Sequence, residues 1–176
     1  MASYGKTKGA AFERLIRSYF NDAGITAKNP ARTGFDGSDV VLGDDDFMNL
    51  EAKSRKTRSL PAWFRQAEKD ATTAYWGVVH KRPGKGKAED QYITISPHVA
   101  SLLRISVPAD RENKSTAKIN GGKWLRIDSA QAKSLEQWLK DYELDGSWTI
   151  IHGKKREYVT MPMGLFHDKL INSGLI

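Results

Sequence analysis

Phe12, Leu15, Ile16, Tyr19 and Phe20 recur at spacings of three and four, a stripe that predicts an amphipathic helix over 8–23 stopped by Gly24. "GITAK" then reads as a short strand, and "DVVL" and "FMNLEAK" as two strands joined by the polar turn "GDDD" as a hairpin. In the second of these strands Met48, Leu50 and Ala52 share one face, and Asn49, Glu51 and Lys53 share the other. A second helix is expected over 60–74, capped by Ser59, with Trp63, Ala67, Ala71 and Ala74 as its buried face. Two apolar strands follow, "YWGVVH" and "QYITI", and then a short helix that Ser96 caps and Pro97 opens. Residues 108–123 read as a polar loop. The last third predicts a strand "WLRI", an amphipathic helix through Leu135, Trp138, Leu139 and Tyr142, a hairpin "SWTIIHGKKREYVTM" and a closing helix around "LFHDKLI".

This order of elements, helices interleaved with strands, is α/β. The 176 residues suit a single domain spanning 1–176, with no internal repeat and no linker evident. No apolar run is long enough to span a bilayer and no signal-like N-terminus is present, so an intracellular location without membrane attachment is expected. The absence of cysteine excludes disulfides, thiolate metal sites and cysteine nucleophiles. A net charge of +7 favours polyanionic partners. The placement of that charge is more telling: nine basic residues against four acidic ones fall between Lys81 and Lys123.

Candidate chemistry concentrates at 37–58. Glu51 and Lys53, two apart on a strand, stand side by side, and the hairpin sets Asp39 nearly opposite Glu51. Two converging carboxylates suit a hard cation such as Mg²⁺, and a neighbouring lysine can orient water or offset charge on a phosphate. Asp36 is a rival for the Asp39 position, which is favoured because it abuts the apolar strand. Asp44 to Asp46 read as turn formers. Histidines 80, 98, 152 and 167 lack metal-ligand spacing and read as structural.

The ordered set "KGAAFERLIRSYF", "TGFDGSDVV", "LEAKSRKTR" and "WFRQAEKDATTAYWGVV" resembles the PD-(D/E)XK nuclease superfamily, and within it the archaeal-type Holliday junction resolvases. The likeness covers roughly residues 5–80, and Ser38 stands where the superfamily's nominal proline precedes the aspartate. It implies a restriction-endonuclease-like mixed central sheet flanked by helices, with a core over about 5–105 and an α+β elaboration over about 106–176. It further implies Mg²⁺, with Mn²⁺ as a substitute, held by Asp39, Glu51, the Ala52 carbonyl and Glu13. Lys53 would assist the attacking water, and Gln66 and Lys69 would support the site or touch the scissile phosphate. The expected activity is metal-dependent hydrolysis of phosphodiester bonds in four-way DNA junctions, by a homodimer that makes paired cuts.

Arg32, Arg55, Lys56, Arg58, Lys69, Lys81, Arg82, Lys85 and Lys87 are the candidate contacts to DNA phosphates, each also explicable as part of a solvated charged run. Two alternatives stay open: another nuclease on the same scaffold, restriction-like or general, and a non-catalytic DNA-binding protein.

Overall fold

The computed structural model describes residues 4–30, 39–55, 60–105, 117–119, 122–127, 148–152 and 157–176. Along them run α1 (Tyr4–Asp22), β1 (Ala27–Lys28), β2 (Val40–Leu42), β3 (Met48–Lys53), α2 (Leu60–Asp70), β4 (Trp76–His80), β5 (Tyr92–Ile95) and α3 (Pro97–Leu102). They are followed by β6 (Ala117–Ile119), β7 (Gly122–Ile127), β8 (Trp148–His152), β9 (Tyr158–Pro162) and α4 (Met163–Ser173). The fold is α/β, as expected. The nine strands make one mixed sheet in the order β1-β2-β3-β4-β5-β9-β8-β7-β6. Only β3/β4 and β7/β8 are parallel; the other neighbours are antiparallel.

Both faces of the first half of the sheet are covered. On one, Phe12, Ile16 and Phe20 of α1 join Val40, Leu50, Val79 and Ile93 of the strands and Phe166 and Leu170 of α4 in one buried cluster. The rings of Phe20 and Phe166 meet edge to face at 6.4 Å. On the other face lies α2, with Trp63 6.1 Å from the His80 ring and Phe64 4.9 Å from that of Tyr158. Each such side chain removed from water contributes about 1.5–3 kcal/mol. The alternation of β3 therefore sends Met48 and Leu50 toward α1, and Asn49, Glu51 and Lys53 toward α2.

Several sequence expectations need correction. α2 ends at Asp70 rather than 74, because the buried Asn49 Oδ1 takes the N–H groups of Thr72 and Thr73, both at 2.9 Å. A side-chain acceptor thus competes with the next helical turn, and the two β-branched residues weaken that turn further. Ala74 is consequently exposed, and the buried face is Leu60, Trp63, Phe64 and Ala67. The polar stretch 108–123 contains β6 and the start of β7, paired antiparallel. The Asn120-Gly121 dipeptide between them is a hairpin signal that the charge pattern obscured. The helix expected through Leu135 to Tyr142 and the cap Ser59 lie outside the described residues. For α3 the cap holds: Ser96 accepts a hydrogen bond from the Val99 N–H at 3.2 Å, and Pro97 opens the helix.

Candidate metal centre

The β2–β3 turn fixes the register on which the site depends. Gly43 adopts φ +87°, where a Cβ would lie 2.9 Å from that of Phe47, so this position requires glycine. Asp46 takes φ 53° and pairs with Lys28 at 2.6 Å, while Asp44 accepts from the Thr26 hydroxyl at 2.6 Å. Asp44 and Asp46 are thus used locally, as their position suggests. Val40 pairs with Leu50. The residue before Val40 therefore falls opposite the residue after Leu50, which sets Asp39 across from Glu51.

Asp39 is fixed at two points on β3. Its N–H donates to the Leu50 carbonyl at 3.1 Å, and its Oδ2 accepts from the Ala52 N–H at 2.7 Å. The Ala52 N–H thus orients Asp39. Glu51 is 4% exposed. Its Oε1 accepts from the Lys53 ammonium, and its Oε2 is buried with no hydrogen-bond partner. Lys53 also donates to Gln66 Oε1 at 2.9 Å, so α2 holds the lysine over the two carboxylates.

Electrostatics follow from this packing. Burial first, then the facing charge of Asp39 and last that of Asp70, push the Glu51 carboxyl up from 4.5 to about 7, against the opposing pull of Lys53. A desolvated carboxylate with one oxygen unpartnered, facing a second carboxylate, has the donor chemistry of a hard divalent cation site. Asp39 and Glu51 are thus of the chemistry that would suit Mg²⁺.

The structure brings together Asp39, Glu51, Ala52, Lys53 and Gln66. Among the described residues no three Asp, Glu or His side chains gather around one point, so Glu13 does not complete a three-carboxylate cluster. The reason is positional. α1 packs on the Leu50 face of β3, away from Glu51, and the part-buried Glu13 directs Oε1 back along its own helix toward Gly9. Lys69 is exposed on α2.

The phosphate-contact candidates divide. Arg55 and Lys81 are exposed just past the carboxyl ends of the parallel pair β3/β4, where the Lys81 N–H donates to the Lys53 carbonyl at 3.0 Å. Lys85 and Lys87 are exposed in the loop after β4, Lys87 near Glu89 at 3.5 Å. Arg82 is part-buried, its guanidinium 5.2 Å above the Tyr92 ring. Arg32, Lys56 and Arg58, and the rival Asp36, lie outside the described residues.

No family model, curated protein or solved structure matches the chain. The site is therefore read from its own geometry, and three residues stand out that the sequence reading did not place in it. Asp70 lies four residues past Gln66 on α2 and adds charge near Glu51, a signal available from helical spacing. Asn49, on the same strand face as Glu51, ties the end of α2 to β3. Gln91 is fully buried and pins the basic loop, accepting from the Arg82 N–H at 2.9 Å and donating to the Lys85 and Lys87 carbonyls at 3.3 and 2.6 Å. A lone glutamine before a strand carries no pattern that would have revealed this.

No helix among the described residues is long and apolar enough to cross a membrane.

Proposed function

We propose that this chain is a metal-dependent endonuclease of the PD-(D/E)XK type that cuts branched DNA, most similar to Holliday junction resolvases. The observation that carries the reading is the facing pair Asp39 and Glu51, with Lys53 beside them and a Glu51 oxygen buried without a partner. The order of elements adds support: a helix, an acidic hairpin, a second helix over the site and a strand parallel to β3 follow the order implied by the resemblance.

Asp39, Glu51 and the Ala52 carbonyl oxygen would hold Mg²⁺, which when bound supplies Lewis acidity and neutralises phosphate charge. Lys53, anchored by Glu51 and Gln66, keeps its ammonium at the carboxylates, where it can hold the attacking water in line and offset charge on the phosphate. Arg55 and Lys81, at the open ends of the parallel strands, grip backbone phosphates beside the cut. Such contacts read shape rather than base sequence, which suits a branch point. Two chains together supply the paired cuts that a four-way junction requires.

Digestion of labelled four-way junctions, duplexes and single strands with Mg²⁺ or EDTA tests this. Mg²⁺-dependent nicks near the branch, lost in Glu51→Gln, are expected. Preferential attack on linear duplex would favour a general nuclease, and no metal-dependent cleavage of any substrate would leave only a DNA-binding protein.

A further inference from the structure

The pairing register contains a repetition. In the first half, Val78, Val79 and His80 of β4 face Thr94, Ile93 and Tyr92 of β5. In the second, Ile150, Ile151 and His152 of β8 face Thr160, Val159 and Tyr158 of β9. The five parallel pairs from Asn49↔Trp76 to Lys53↔His80 recur as Lys123↔Trp148 to Ile127↔His152. The hairpins agree as well, Val40↔Leu50 answering to Ala117↔Trp124. At the join, β5 and β9 pair antiparallel with Thr94 opposite Thr160, and Ile93↔Met161 is exchanged with Ile95↔Val159. The pairing is thus related to itself by a two-fold operation centred on the two threonines, with a helix following each of β5 and β9.

The amino-acid sequence carries the same duplication. "WGVVH" at 76–80 matches "WTIIH" at 148–152, and "YITI" at 92–95 matches "YVTM" at 158–161. "SLPAWFRQAEKD" at 59–70 matches "SLEQWLKDYELD" at 134–145 in Ser, Leu, Trp, Glu and Asp. The offset is 75 at Ser59, 72 at Trp76 and 66 at Tyr92, and this drift hides the repeat from a search at fixed period.

Beyond α1 and β1, which precede the repeated unit and have no counterpart among the described residues, the site itself is not duplicated. Leu125 and Ile127 stand at the register positions of Glu51 and Lys53, and Arg126 at that of Ala52. Thr116, before Ala117, is the sequence counterpart of Asp39. The second unit therefore lacks both carboxylates and the lysine. It nonetheless covers the edge of β5, the strand along which a separate copy could pair by the same two-fold.

We infer that the chain is a tandem pair of one unit (hairpin, crossover, hairpin), in which the carboxy-terminal copy is a silent partner supplied in cis, so that each chain carries one cutting site and breaks one strand. This rests on the nuclease reading above. It assigns residues 106–176 a role and means that paired cuts need two chains rather than the two halves of one.

Full-length wild type, Glu51→Gln and the second isosteric variant Asp39→Asn are compared by Mn²⁺ titration with electron paramagnetic resonance and by supercoiled-plasmid cleavage in Mg²⁺. The expected result is nicked circles as the first product, with cleavage down at least about a hundredfold in both variants. Strong Mn²⁺ binding should also be lost in both. If either variant keeps a strong Mn²⁺ site or nicks within about tenfold of wild type, metal binding and cleavage do not depend on the single Asp39–Glu51 site, and the single-site inference fails while the nuclease reading stands. If wild type neither binds Mn²⁺ nor cuts any DNA, the nuclease reading fails and the inference with it.

Discussion

Glu51→Gln should stabilise the metal-free protein while abolishing cleavage. Glu51 is 4% exposed, and its carboxyl is pushed from 4.5 up to about 7. An acid with a higher pKa in the folded chain binds its proton more tightly there. Its effect on stability is therefore most favourable below 4.5, weakens as pH climbs to about 7, and is constant beyond. At 1.36 kcal/mol per pH unit, the ionised side chain costs about 3 kcal/mol at about pH 8. Glutamine keeps the shape without the charge and removes that cost.

The assay is urea unfolding of both proteins in EDTA at about pH 4 and about pH 8. The variant should match wild type at the lower pH and exceed it by about 3 kcal/mol at the higher. For a chain of this length that is a rise in Tm of roughly 6–12 °C. Adding Mg²⁺ should close the gap, because ligand binding stabilises only the chain that keeps both carboxylates. Equal stability at about pH 8, or a difference that does not change with pH, would refute the claim that Glu51 is held ionised at a cost.

Other outcomes follow from the same contacts. Asp39→Asn removes the like charge facing Glu51, so the Glu51 carboxyl should titrate lower, visible by NMR in the metal-free protein, while Mg²⁺ affinity falls. Thr94→Val strips a partner from His80 Nε2 (2.9 Å) and from the Thr160 hydroxyl (2.7 Å) at the centre of the two-fold, and should cost about 1–3 kcal/mol in urea unfolding. Gln91→Leu releases one N–H and two carbonyls of the basic loop. Hydrogen exchange over 82–91 should rise by at least about tenfold, with DNA binding weakened and Mn²⁺ binding unchanged.

What the sequence made legible depended on how local the determining physics was. Period-two alternation in "FMNLEAK" and the length of the "GDDD" turn were enough to set Asp39 against Glu51, because a hairpin's register follows from its turn. The end of α2 was not legible, since it depends on a buried amide from a strand more than twenty residues earlier in the chain. The side of the sheet on which Glu13 lies was not legible for a related reason. Helical spacing placed it beside the apolar stripe, but which face of the sheet that stripe covers is a tertiary fact.

The duplication shows a different limit. Its signal was present in "WGVVH" and "WTIIH", but only pairing partners can align segments whose spacing drifts from 75 to 66 residues. Once aligned, the two halves form an internal comparison at a shared strand register. Both have the hairpin, the parallel pair and the Tyr-x-Thr strand, so none of these needs the acids in order to form. Leu125 and Ile127, both apolar, occupy the corresponding register positions. The fold is therefore a sufficient reason for apolar residues at those positions and gives no reason for Glu51. A buried carboxylate, whose charge burial disfavours, stands only in the half where Asp39 and Lys53 accompany it. That coincidence, more than the spacing of Asp39, Glu51 and Lys53 alone, argues that the first half's acids serve chemistry.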